Sequence, residues 1–251
     1  MKASFLFLGS GASMGTPVIG CSCLVCQDKR QWRLRSSGLL RIGDRRILFD
    51  AGPDFRQQAL NYGVFGIEAL LLTHSHYDHI GGLEDLRIFS YQKKGEIPCF
   101  LSKETGEMLE KKSYLQQFFA PTFLPSDQGE FFFGGLPFSY FQYWQDTTRV
   151  TGFRFGSFAY VTDISRYEPS IFSALSGVKT LVLSACGLDH SHVHLGLRKA
   201  ISFAQEVGAS QVFFTHVCHR IDAFKERSKL PSSMQFAYDG LEIPLECEHG
   251  I

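Results

Sequence analysis

The sequence predicts an α+β protein with a sheet-on-sheet core and helices outside it, built as one domain over residues 1–251. Three observations carry this. Strand-like runs gather in two β-rich halves, and helical segments follow in each. No internal repeat or low-complexity linker separates the halves. Hydrophobic content of 44% and charged content of 20% fit a globular chain long enough to bury a sizeable core.

Residues 3–8 read as the first strand. The opening residues imitate a secretory leader, but their apolar stretch is too short and lacks a cleavage site. No apolar run approaches the ~20 residues of a membrane span, and the uncharged aromatic stretch 131–145 is interrupted by Gly134, Gly135 and Pro137. A cytoplasmic protein with no membrane partner is expected. Seven cysteines, three of them clustered, suit a reducing compartment and a metal site better than a disulfide framework.

The glycine-rich loop 9–17 either turns tightly or cradles phosphate, and it runs into Cys21-Ser22-Cys23-Leu24-Val25-Cys26. Three thiolates at this spacing look like a zinc knuckle, at about residues 15–30, that lacks its fourth ligand. The alternative is three buried or incidental cysteines. Residues 39–42 and 46–49 flank Gly43-Asp44 as a hairpin. Its second strand ends at Asp50, placed where a carboxylate can orient metal ligands from behind. Asp54 is a candidate N-cap for a helix to Tyr62.

The apolar run 67–72 is a buried strand that delivers Thr73-His74-Ser75-His76-Tyr77-Asp78-His79 to a sheet edge. His74 and His76 point the same way on extended backbone, and Asp78 and His79 follow at a turn. Imidazole and carboxylate are the donors that Zn²⁺ and similar ions prefer. A helix is expected at 83–89, a strand at 97–101 and a charged surface helix at 103–112. From Tyr114 to Gln145 the chain is aromatic without a clean period. It can serve as core, substrate-facing wall or subunit interface, and core is the expectation.

Alternation resumes at Val150, with a hairpin of 150–155 and 158–161 that ends in Thr162-Asp163. A short helix near 171–175, a buried strand at 180–183 and a loop carrying His190, His192 and His194 precede a helix of about 195–207. The strand 211–214 ends in Thr215-His216-Val217-Cys218-His219, and Gly240 turns the chain between two final strands. The formal net charge is zero, from 25 basic and 25 acidic residues, so there is no general nucleic-acid footprint. Lys93-Lys94, Lys111-Lys112 and residues 220–229 are the local basic candidates.

Several separated segments resemble one family. The loop Gly9 to Pro17 with its cysteines, Leu48-Phe49-Asp50-Ala51-Gly52-Pro53-Asp54, the histidine motif, Val161-Thr162-Asp163 and Thr215 to His219 together look like a PhnP-type phosphodiesterase of the metallo-β-lactamase superfamily. The resemblance implies an αββα sandwich holding two divalent ions, Zn²⁺ or Mn²⁺, at one edge. Carried across residue by residue, His74 and His76 would hold the first ion, Asp78, His79 and His216 the second, and Asp163 would bridge them. A structural Zn²⁺ would sit on Cys21, Cys23, Cys26 and His219, with Cys218 as the rival fourth ligand. His194 matches a family histidine that assists the leaving group or binds phosphate, while roles for His190 and His192 stay open. Asp78, Asp163 and His194 are the expected catalytic residues.

One departure stands out. Where the family places a third histidine for the first ion, this chain has Gln145, an amide that binds Zn²⁺ more weakly. The first site then binds loosely, prefers Mn²⁺, recruits Asp146 or His192, or stands empty. The expected activity is hydrolysis of a small cyclic phosphate or nucleotide diester by a metal-bound hydroxide. The alternatives are an RNA-end-processing nuclease and a degenerate, non-catalytic metal-binding protein. A homodimer is implied by the resemblance alone.

Overall fold

Alternating side-chain direction along nearly continuous apolar strands gives this chain two buried sheet faces for every strand of its centre. The computed structural model describes residues 2–110 and 117–246. The strands are β1 Ala3–Gly9, β2 Ser37–Ile42, β3 Arg45–Phe49, β4 Ala69–Leu71, β5 Ile97–Ser102, β6 Phe119–Leu124, β7 Gln128–Phe133, β8 Leu136–Gln145, β9 Thr148–Phe155, β10 Phe158–Val161, β11 Thr180–Ser184, β12 Gln211–Thr215, β13 Met234–Phe236 and β14 Glu242–Leu245. They form two seven-stranded sheets, in the orders β14-β1-β2-β3-β4-β5-β6 and β13-β12-β11-β10-β9-β8-β7. Each sheet is antiparallel on one side and parallel on the other, with β3, β4, β5 and β6 parallel in the first and β10 to β13 parallel in the second.

Ala69 and Leu71 of β4 face the second sheet, whereas Leu70 and Leu72 face outward to the helix Phe55–Tyr62 and the turn Leu83–Leu86. On β11 and β12 the same period sends Val182 and Phe213 inward. Leu181, Leu183, Val212 and Phe214 face outward against the helix Leu197–Val207. The result is an αββα sandwich in which the inner layer is aromatic. Phe5 lies at its centre, with ring centroids 5.0 Å from Phe7, 4.8 Å from Phe158 and 5.7 Å from both Phe49 and Tyr160. Gly38 opposes that ring, and a Cβ there would stand 2.1 Å from Phe5 Cζ. Among the described residues no helix is long and apolar enough to cross a membrane.

The stretch 117–145 departs most from expectation, and residues 114–116 of the aromatic region lie outside the described residues. It contributes three strands, β6 to β8, and Gly134 and Gly135 make the turn of the β7–β8 hairpin with φ of 57° and 80°. Left-handed backbone at both positions is what a tight hairpin asks of glycine. Phe131, Phe138, Tyr140, Phe141 and Tyr143 of this hairpin are buried, so core is the role of most of its aromatics, while Phe123 and Phe132 are exposed. The two final strands do not pair with each other, since β13 closes the second sheet and β14 crosses over to flank β1 in the first. The 83–89 helix is a 3₁₀ turn, Leu83–Leu86, followed by the helix Arg87–Lys93. Asp54 stands at the N-cap position of its helix but makes no capping bond, because both of its oxygens bind Arg35. The charged helix is Lys103–Glu110, and Lys111 and Lys112 lie outside the described residues.

Phe5→Ala empties the centre of the aromatic layer. It is expected to cost about 3–5 kcal/mol, read as a fall in the midpoint of urea unfolding with metal loading held constant.

Candidate metal centre

Parallel strands deliver their C-terminal ends to one rim, and the polar residues gather there. Three of them sit in left-handed backbone just past a strand: Asp50 at φ 57°, Asp163 at φ 56° and His216 at φ 55°. Asp and His tolerate this region better than most residues, yet each such placement costs on the order of 1 kcal/mol or more. It turns the side chain from the sheet face to the rim.

Asp50 has no exposure to solvent and accepts three hydrogen bonds. Thr73 N donates to Oδ1 at 2.8 Å, Thr73 Oγ1 to Oδ2 at 2.8 Å and His79 Nδ1 to Oδ2 at 2.7 Å. Since the Thr73 hydroxyl proton goes to Asp50, its oxygen accepts from His74 Nδ1 at 2.9 Å. Both histidines thereby spend Nδ1 as a donor and aim Nε2 at the rim. His74 Nε2 lies 3.0 Å from His76 Nδ1, so the two side chains converge as alternation requires. Burial and the neighbouring His79 hold the His74 pKa well below its ordinary value, which keeps it a neutral donor. Asp78 and His79 are not on an open turn but on one helical turn, Tyr77–Ile80, with His76 at its N-cap.

Asp163 stands between the donors of both sheets. Its Oδ2 lies 3.1 Å from His79 Nε2 and its Oδ1 3.1 Å from His216 Nε2. Asp78 Oδ2 lies 3.4 Å from His79 Nε2 and 3.3 Å from His216 Nε2. Burial works against both carboxylates, yet the imidazoles of His79 and His216 hold their pKa values far below the usual range. Conversely, despite burial, the carboxylates around His79 and His216 draw both imidazoles upward, His79 well above its ordinary value. The cluster therefore calls for positive charge among these atoms.

Gln145 ends β8 inside this cluster, buried, with Nε2 donating to Asp163 Oδ1 at 2.9 Å and lying 3.3 Å from His194 Nε2. Its Oε1 is buried without a hydrogen-bond partner, and so is His79 Nε2. His194 is buried, its Nδ1 3.6 Å from Asp163 Oδ1, and burial together with nearby His216 brings its pKa down to about 4. Asp146, His190 and His192 are exposed and join none of the donor groups. Two participants were not foreseen from sequence: Thr73, which sets both tautomers, and Thr148, whose Oγ1 lies 3.3 Å from His76 Nε2. The recurrence of threonine just before His74, Asp163 and His216 was the available clue.

A separate cluster forms where the chain's two ends meet. Cys21, Cys23 and Cys26 place their sulfurs 3.3, 3.6 and 3.6 Å from His219 Nδ1. Val18 N donates to Cys26 Sγ at 3.3 Å. The Cys26 backbone amide and His219 bring the Cys23 thiol down to about 6. Cys218 stays apart, buried against Cys186 and Ala12.

Both clusters fit metal ions. A tetrahedral Zn²⁺ needs sulfur and nitrogen donors ~3.5 Å apart and nitrogen and oxygen donors ~3.4 Å apart. The observed spacings match, and in the rim cluster the unpartnered His79 Nε2 and Gln145 Oε1 are donors awaiting a cation.

Residues 45–217 match the beta-lactamase superfamily domain. An octanoyltransferase of Porphyromonas gingivalis is 30% identical over 262 residues, covering 98% of this chain and 52% of that protein. Coenzyme PQQ synthesis protein B of Ruegeria pomeroyi is 36% identical over 93 residues, 32% of each chain. The chain thus spans about half the length of the first of these curated relatives. Among solved structures, a diphosphatase from the PhnP family superposes with a TM-score of 0.93 at 32% identity over 98% of both chains. Zn²⁺-bound PqqB from Methylobacterium extorquens gives 0.82 at 19% identity, covering 96% of this chain and 100% of that one. The short form of human tRNase Z gives 0.73 at 18%, covering 96% and 98%. The last two are likenesses of fold alone. With the family match covering most of the chain and the sandwich carrying its donors on one rim, the chain belongs to the metallo-β-lactamase superfamily, whose members are mostly metal-dependent hydrolases.

Proposed function

We propose that the protein is a metal-dependent phosphodiesterase acting on a small phosphodiester, with a structural Zn²⁺ in a knuckle of the same domain. The observation that carries this reading is the position of Asp163, whose two oxygens each approach a histidine of a different sheet. In this reading His74, His76 and Gln145 Oε1 hold one divalent ion, Asp78, His79 and His216 hold the other, and Asp163 serves both. Two such ions, when bound, acidify water and offset charge on the phosphoryl oxygens.

The chain's own residues then have defined tasks. Asp50 and Thr73 fix the tautomers of His79 and His74, so that their Nε2 lone pairs face the rim. Asp163 and Asp78 supply the negative charge that holds cations there. His194, kept neutral by burial, contributes a hydrogen bond rather than a full charge, and it steadies the oxygen of the leaving group. The 32%-identical PhnP-family diphosphatase supports cleavage at phosphorus. A nuclease reading gains less, because both lysines of the basic run at 220–229 are paired with nearby acids, Lys225 with Asp222 and Lys229 with Glu226. The cysteine cluster with His219 would bind Zn²⁺ structurally, because all four of its donors come from the protein.

Asp163→Ala is expected to lower kcat/KM on bis(4-nitrophenyl) phosphate by about 10³-fold with an unchanged circular dichroism spectrum. Full activity in that variant would sink the scheme. Elemental analysis of protein grown with Zn²⁺ or Mn²⁺ should find about three ions per chain and lose one in His219→Ala. Replacing Gln145 by His should slow chelator stripping of one ion, since imidazole outranks an amide as a zinc ligand. Asp50→Asn, which offers His79 an amide in place of a full carboxylate, should weaken rim-site affinity by about 10–100-fold in chelator competition.

A further inference from the structure

Beside His194 the rim opens into a cleft of roughly 460 Å³, walled by Met14 and Gly15 of the glycine-rich loop, by Val18 and Val193, and by Arg220. Met14 is 61% exposed, so apolar surface faces this space from the loop side. Arg220 is exposed, and it follows His219 of the cysteine cluster directly in the chain. Its guanidinium passes close to Gly187, with Nη2 3.7 Å from where a Cβ there would stand, and the Cys218 thiol draws its pKa upward. Arg30, Arg35 and Arg198 are matched with acids, Asp28 at 2.7 Å, Asp54 at 2.8 Å and Asp189 at 2.6 Å, whereas exposed Arg56 and Arg227 form no ion pair with a described carboxylate but do not line this cleft. Among the described residues no carboxylate lies within ion-pair distance of Arg220, and the largest influences on its charge come from the Cys218 and Cys186 thiols.

A cation left without an acidic partner, on the wall of the cleft next to the rim donors, is a receptor for an anion supplied from outside. We infer that Arg220 is a specificity-determining residue that holds a second anionic group of the substrate, a phosphate or a carboxylate set away from the scissile ester. The inference rests on the phosphodiesterase reading. Met14, Val18 and Val193 give the carbon frame between the two groups an apolar wall, and the planar guanidinium fork suits either anion bidentately. Because such a contact is made alike in the ground and transition states, it acts mainly on KM.

Three diesters separate the cases: bis(4-nitrophenyl) phosphate, and analogues with one nitro group replaced by a carboxylate or by a phosphonate. The metal-loaded protein is expected to favour one or both anionic diesters. In Arg220→Gln the ratio of kcat/KM between anionic and neutral diesters should fall about tenfold to hundredfold, chiefly through KM, and Arg220→Lys should recover part of it. A larger response to the carboxylate or to the phosphonate identifies which anion the site takes. A ratio unchanged in Arg220→Gln, or no preference in the natural chain, overturns the assignment. Calorimetric titration with phenylphosphonate, 4-carboxyphenylphosphonate and 1,4-phenylenediphosphonate gives a readout that needs no turnover. If no diester is hydrolysed, the phosphodiesterase reading fails. The Arg220 assignment then stands only if the second anionic group still tightens binding in an Arg220-dependent way, and it falls if the three ligands bind alike.

Discussion

A carboxylate sealed from solvent, that of Asp50, is the constraint on which the rim depends. A buried carboxylate is tolerated only when its oxygens are bonded, and here Thr73 and His79 meet that demand. Burial pushes its pKa upward, against the pull of His79 and Thr73. The backbone closes around it in the same way: Ala51 N donates to His79 O and Gly82 N to Ala51 O, each at 2.8 Å. That approach is possible only without side chains. A Cβ on Gly52 would stand 2.0 Å from Asp78 O, and one on Gly82 2.1 Å from Gly52 O. Asp50 thus fixes the turn bearing Asp78 and His79 as well as the proton positions of His74 and His79.

The second requirement is that two sheets meet in register. His74, His76, Asp78 and His79 belong to the first sheet's rim, and Gln145, Asp163 and His216 to the second. Neither set is a site alone. Main-chain bonds cross at the rim: Thr151 N to Thr73 O at 2.8 Å, and Val217 N to Ser10 O at 2.9 Å. Behind them, the buried Arg33 binds Ser10 Oγ at 2.6 Å and the Ala237 carbonyl. Asp239 accepts from Ser10 N at 2.9 Å and from Leu34 N at 2.6 Å. The cysteine cluster with His219 joins the same two regions, residues near 20 with residues near 220. Packing of the aromatic layer and any ion binding at the rim would therefore be coupled, since each would hold the sheets at the spacing the other needs.

Much of this could be read in the sequence because it is local. The histidine motif lies within six residues, the cysteines within another six, and the strand ends at Asp50, Asp163 and His216 are marked by abrupt changes from apolar to polar residues. Other features were hidden because they are not local. The β7–β8 hairpin is so aromatic on both faces that its period vanishes: Phe131 packs inward and Phe132 is 68% exposed, yet they are the same residue type. The exchange of β14 into the first sheet depends on pairing with β1, more than two hundred residues away. Asp54 looks like a helix cap in one dimension, and only the fold reveals that Arg35 claims it. Gln145 stands in the sequence where the resembled family has a histidine, and its orphaned oxygen appears only in three dimensions.

The charge balance of the rim explains why so many donors can share so small a volume. His79 and His216 are drawn toward protonation by Asp78 and Asp163, while His74 and His194 are driven toward neutrality by burial. Protons on His79 and His216 compensate the buried carboxylates in the absence of ions. Divalent cations on the same nitrogens would provide that compensation more fully and would displace the protons on binding. Affinity for ions would then be coupled to pH through these two imidazoles. Gln145 cannot take part in this exchange, because its amide carries no titratable proton in the working range. On the proposed reading, an ion beside His74 and His76 would meet a neutral donor set and one shared carboxylate. It would for this reason be the weaker of the two positions, and its occupancy would decide whether the rim carries one ion or a pair.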